Sequence, residues 1–150
     1  IHLLKGYNYR MDGIQGAVLR VKLKHIEAWT EARRLHAQKY NALLSETNFV
    51  IPYEAPHNRH VYYLYTLRTP HRDALIKALK AENIETLIHY PTPIHLQPAY
   101  LDLGYVAGAF PRSEEVAKEV ICLPLYPEMK DLALRTVSDV IINSVSQSIH

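Results

Sequence analysis

The 150 residues carry 17 Lys and Arg against 15 Asp and Glu, a formal net charge of +2, and the basic residues are scattered, which leaves no electrostatic footprint for nucleic acid. A hydrophobic share of 48% is enough for a packed core, yet the longest nearly uncharged stretch, Asn83 to Pro111, is too polar and too rich in proline to span a bilayer. One cysteine, Cys122, excludes a disulfide within the chain and points to a reducing cytoplasm. Its setting in Val120-Ile121-Cys122-Leu123 reads as core, since a reactive thiol needs an electropositive, partly exposed place.

The opening Ile1-His2-Leu3-Leu4-Lys5-Gly6 holds no signal-peptide pattern and reads as the middle of a longer sequence. Asp12 is placed to cap a helix that the spacing of Ile14, Val18, Val21, Ala28 and Leu35 predicts from about Gly13 to Leu44. Unbroken, it would run on the order of 45 Å at 1.5 Å per residue. That is longer than a compact domain of this size needs, so it is expected to connect domains or to lie along an interface. A break near Lys24-His25 would split it in two. The reading divides the chain into 1–45, the connecting helix and what leads into it, and 46–150, a small C-terminal domain.

Val61 to Thr69 is dense in β-formers and predicts a strand, with Tyr63 expected on the face opposite Tyr62 and Tyr65. His71 to Glu82 predicts a helix and 83–88 a second strand, together a βαβ-like unit. Three prolines leave His89 to Tyr100 as loop. Pro111 to Val120 predicts a short helix with Glu114 and Glu115 at the favourable end of its dipole. Ile121 to Leu125 predicts a strand at whose end Pro124 sits, and Asp131 to Val145 a last helix. The fold class is α+β (α/β), a small sheet covered by helices.

Two clusters carry groups suited to binding. In Gly6-Tyr7-Asn8-Tyr9-Arg10-Met11, Asn8 and Arg10 stand two apart just before a helix start. Extended backbone would aim both at one anion, although the same spacing also fits a capped loop. In His89-Tyr90-Pro91-Thr92-Pro93-Ile94-His95-Leu96-Gln97-Pro98-Ala99-Tyr100, two His and two Tyr sit on a proline-stiffened loop. They fit the polar lining of a substrate cleft, or polar tips tied down within a packed loop. Metal binding is not expected, because no further ligand stands at a diagnostic spacing. His57-Asn58-Arg59-His60 reads as a solvated loop. No Gly-rich phosphate loop and no Gly-x-Ser-x-Gly elbow occurs.

Gly6-x-Asn8-x-Arg10-Met11 with Ile14-Gln15-Gly16-Ala17 resembles a signature of the DegT/DnrJ/EryC1/StrS aminotransferases. Val61-Tyr62-Tyr63-Leu64-Tyr65, His89-Tyr90-Pro91-x-Pro93-x-His95-x-Gln97 and Leu123-Pro124-Leu125-Tyr126-Pro127 are similar to later motifs of that family, in the same order. The resemblance runs to about Ser144. It implies the C-terminal part of a fold-type I enzyme dependent on pyridoxal 5′-phosphate (PLP). Such an enzyme moves an amino group from glutamate or glutamine to a keto group of a nucleotide-linked sugar, and works as a homodimer. It further implies that Asn8 reaches the cofactor phosphate of the partner subunit, and that Arg10, His89, Tyr90 and His95 lie toward the substrate. No catalytic residue is assigned, because the family's catalytic lysine lies upstream of the Asn-x-Arg motif and no lysine here stands in its place. A dehydratase or regulatory paralogue, or a non-catalytic binding module, is the alternative. Gly16 departs from the Ala usual at its position.

Overall fold

A computed structural model describes residues 1–7 and 9–147; Asn8 lies outside the described residues. Five α-helices and two strands follow in the order α1 (Gly13–Lys22), α2 (Ile26–Leu44), β1 (Tyr65–Arg68), α3 (Arg72–Ala81), α4 (Pro111–Glu119), β2 (Val120–Leu123) and α5 (Asp131–Gln147). The class is α+β, as the sequence implies.

The long N-terminal helix forms and is split where expected. A 3-10 turn at Leu23–His25 separates α1 from α2. Asp12 caps α1 through a reciprocal pair: its Oδ1 accepts from Gln15 N at 2.7 Å, and Gln15 Oε1 accepts from Asp12 N at 3.2 Å. Two of the free amides of the first turn are thereby satisfied. No residue of α1 is buried. By contrast, α2 sends Ala37, Tyr40 and Leu44 into the core.

That core lies between α2, α3, α5 and the sheet. Tyr65 and Leu67 of β1 and Ile121 and Leu123 of β2 meet Leu75, Leu79, Leu134, Val137 and Ile141 of the helices. The strands pair antiparallel, Tyr65 opposite Leu123 and Arg68 opposite Val120. An isolated bridge flanks each strand: Val50 pairs with Arg68 and Leu87 with Cys122. Every residue of β2 is buried, so Cys122 is core, its sulfur 3.2 Å from Thr66 Oγ1.

Two predicted strands are corrected. Residues 61–64 leave the strand because Tyr62 takes a left-handed backbone, φ 47°. Its N–H donates to His60 Nδ1 at 2.9 Å and its ring is buried near Tyr65. Tyr62 and Tyr65 are buried and Tyr63 exposed, as expected, but strand alternation is not the cause. An unbroken strand would put Tyr63 and Tyr65 on one side. The second strand, 83–88, shrinks to the Leu87 bridge, so no βαβ unit forms. Asn83, at φ 57°, instead closes α3. Its N–H donates to Lys80 O and that of Ile84 to Leu79 O, the paired bonds of a Schellman ending. The loop 89–100 is also less irregular than its prolines suggest, with 3-10 turns at Ile94–Leu96 and Pro98–Leu103.

Candidate functional site

The loop that leaves the sheet edge after Leu87 turns back over α4 and borders an open cleft of about 490 Å³. His89, Tyr90 and His95 line it together with Tyr105 and Phe110. Three of the predicted site residues thus converge. Tyr90 is exposed, and His89 is partly buried with a fully enclosed Nδ1 that has no hydrogen-bond partner. A buried polar atom left unpaired costs about 1–3 kcal/mol unless something satisfies it. No Lys, Asp or Glu lines the cleft, and among the described residues no cluster is arranged to hold a metal.

His95 is held from behind. Its Nε2 stands 3.0 Å from Glu114 Oε1, both side chains being largely shielded. The same carboxylate accepts from Gly108 N at 2.8 and 3.0 Å and from Phe110 N at 3.4 Å. The His95 contact, then those amides, holds the Glu114 carboxyl below its ordinary range. The Phe110 ring meets His95 edge-on at 4.9 Å and Tyr105 at 4.9 Å. Gly108 turns with φ 90°, a backbone that side chains rarely adopt, and this turn aims its amide at Glu114.

Gln97 fixes the far end of the loop. Buried, it donates from Nε2 to Thr92 O at 3.2 Å and accepts at Oε1 from His2 N at 2.9 Å. Ala99 N donates to His2 O at 3.0 Å, and Lys5 pairs with Asp102 at 2.6 Å. The segment leading to α1 is therefore tied to the loop that carries His95. Sequence reasoning matched Gln97 to a motif but assigned it no role, and it placed Glu114 at a helix dipole.

Arg10 stands elsewhere, exposed on the arm before α1, without a hydrogen bond or ion pair to any of the described residues, and does not line the cleft. The rings of Tyr7 and Tyr9 pack 5.2 Å apart, as side chains two apart do in extended backbone. His57-Asn58-Arg59-His60 is exposed, as expected, but not idle. Arg59 pairs with Glu27 and Glu31, and the Glu54 carboxylate takes Arg34 and the His60 amide, so the loop is pinned to α2.

Comparison with known proteins is consistent along the chain. A pleiotropic regulatory protein of Geobacillus stearothermophilus is 45% identical over 133 residues, 87% of this chain and 36% of that protein. A dTDP-3-amino-3,4,6-trideoxy-alpha-D-glucose transaminase of Streptomyces venezuelae is 40% identical over 141 residues, 93% of this chain and 37% of the enzyme. The crystal structure of S. venezuelae DesV, in complex with a ketimine intermediate, superposes with a TM-score of 0.86 at 38% identity, covering 95% of this chain and 39% of that one. The chain thus spans 36–39% of the length of these relatives. The fold is that of part of a fold-type I aminotransferase. The family model described as the DegT/DnrJ/EryC1/StrS aminotransferase family matches residues 1–142, and the chain belongs to that family.

Proposed function

We propose that this chain is the C-terminal part of a cytoplasmic, homodimeric, PLP-dependent enzyme. The enzyme moves an amino group from glutamate or glutamine to a keto group of a nucleotide-linked sugar. Residues 1–45 lead out of the cofactor domain and residues 46–150 form the small domain. The observation that carries the reading is the cleft of His89, Tyr90 and His95, built from a motif of a family whose relatives include nucleotide-sugar transaminases.

The cofactor does not fit these residues alone. A covalent PLP site needs a lysine, and none lines the cleft. The exposed and unpaired Arg10 suits a phosphate contact, with Asn8 beside it in the sequence, but no more. This chain therefore forms the substrate side. Tyr90 Oη and the His95 ring offer hydrogen bonds to sugar hydroxyls, and Tyr105 and Phe110 offer apolar surface to a hexose ring.

A regulatory role without amino transfer is the second reading, favoured by the similarity to the G. stearothermophilus pleiotropic regulatory protein. Turnover decides between them. The longer polypeptide carrying this sequence is expected to aminate a nucleotide-linked ketosugar in the presence of glutamate, whereas the 150 residues alone neither transaminate nor take up PLP covalently. A PLP-modified lysine found by mass spectrometry within these residues, or a longer polypeptide with no amino transfer, contradicts the proposal.

A further inference from the structure

We propose that Glu114 is a positioning residue that keeps the proton of neutral His95 on Nε2, leaving Nδ1 as a hydrogen-bond acceptor for a donor such as a sugar hydroxyl. The role of that acceptor rests on the functional reading above; the tautomer does not.

The geometry decides the direction of the bond. Glu114 Oε1 meets three groups: Gly108 N, Phe110 N and His95 Nε2. Two of them are backbone amides, which only donate. A carboxyl held below its ordinary range is ionised at neutral pH and accepts only, so the third partner must donate as the two amides do. His95 Nε2 therefore carries hydrogen, and in a neutral imidazole the other nitrogen then bears a lone pair. Phe110 packs edge-on against the ring, and the ring is 8% exposed, so it is held in its place by packing as well as by Glu114. An acceptor at this position meets hydroxyls, of which a nucleotide-linked sugar presents several. A histidine free to exchange tautomers would carry its proton on Nδ1 part of the time and then could not accept there. Buried partners of this kind are how proteins fix which imidazole nitrogen is protonated.

The test is long-range proton–nitrogen correlation NMR on the 150-residue chain, at a pH where His95 is neutral. The expected spectrum shows a pyrrole-type Nε2 and a pyridine-type Nδ1 for His95. Glu114→Gln keeps this pattern, because its amide oxygen can still accept from the two backbone amides and from Nε2. Glu114→Ala loses it, giving averaged tautomers while the amide signals of core residues such as Leu67 and Ile121 stay in place. A merely structural role for Glu114 would move those core signals instead of the His95 pattern. A protonated Nδ1 in the wild-type chain, or an unchanged pattern in a folded Glu114→Ala chain, overturns the proposal. Should Glu114→Ala fail to fold, the wild-type and Glu114→Gln spectra decide, with Nδ1–H in either one sinking it. Failure of the longer polypeptide to aminate a nucleotide-linked ketosugar with glutamate, with Nε2–H intact, would count against the functional reading and leave Glu114's role standing.

Discussion

Gly16 illustrates how a single residue can be weighed from both sides. It sits inside α1, where glycine is about 1 kcal/mol less favourable than alanine. A Cβ built there meets Met11 Cε at 3.9 Å and nothing closer, which is ordinary contact. Gly16→Ala should therefore raise stability by a few tenths to about 1 kcal/mol, less if α1 frays alone, as a thermal melt would record. No gain would mean that the helix start is not limiting. Glu114 makes a prediction in pH. Its carboxyl is held below the ordinary value near 4.5, first by His95 and then by the Gly108 and Phe110 amides. A depressed carboxyl stabilises the fold at pH values above its unfolded value, and that stability is lost as pH falls through the lower, folded one. The melting temperature of the wild-type chain should fall more steeply below about pH 4.5 than that of Glu114→Gln. Parallel curves would remove Glu114 from the account of acid sensitivity. Such contacts were not legible in the sequence, because the partners of Glu114 come from a loop and a 3-10 turn whose placement no periodicity encodes.

At the scale of elements, helices were easier to read than strands. The apolar spacing on α3 marks the face that packs on the core, but on α2 the predicted Ala28 and Leu35 are exposed and Ala37, Tyr40 and Leu44 pack instead; the Pro111 start of α4 and the break at Leu23–His25 fell within a residue or two of expectation. Strands fared worse because their limits are set by neighbours. At 61–64, a run of strong β-formers yields to the buried Tyr62 ring and its left-handed backbone. At 83–88, Asn83 and Ile84 are committed to ending α3. The Schellman ending is testable. Asn tolerates the left-handed conformation better than most residues, and glycine tolerates it best. Asn83→Gly should leave stability nearly unchanged, while Asn83→Ala should cost about 1 kcal/mol in chemical denaturation. Equal effects of the two variants would show that the backbone angle is not what matters there.

At the scale of the molecule, one helix lacks a core. Ile14, Val18 and Val21 recur along one side of α1 and all three are exposed, whereas α2 buries its own apolar face against the sheet. A contiguous apolar stripe of this kind marks a surface that is covered in the assembled protein. The proposed remainder of the enzyme supplies the cover. Ile14→Glu with Val18→Glu should leave the melting temperature of the 150-residue chain almost unchanged, since no residue of α1 is buried. The same pair should weaken assembly of the longer polypeptide, as read by sedimentation. A large loss of stability in the short chain would mean that α1 packs on this domain instead. The sequence motifs placed the cleft on 89–97 and the fold brings His89, Tyr90 and His95 to it. They could not reveal what faces Arg10, which stands apart in this structure.

The most direct test of the central claim is the intact mass of the natural polypeptide that contains this sequence, captured from its source cells with an antibody against residues 46–150. The account predicts more than twice the 17.3 kDa of this chain, with a lysine upstream of Gly6 that carries PLP. A natural polypeptide of about 17.3 kDa would contradict it, and the cleft would then belong to a binding module without amino transfer.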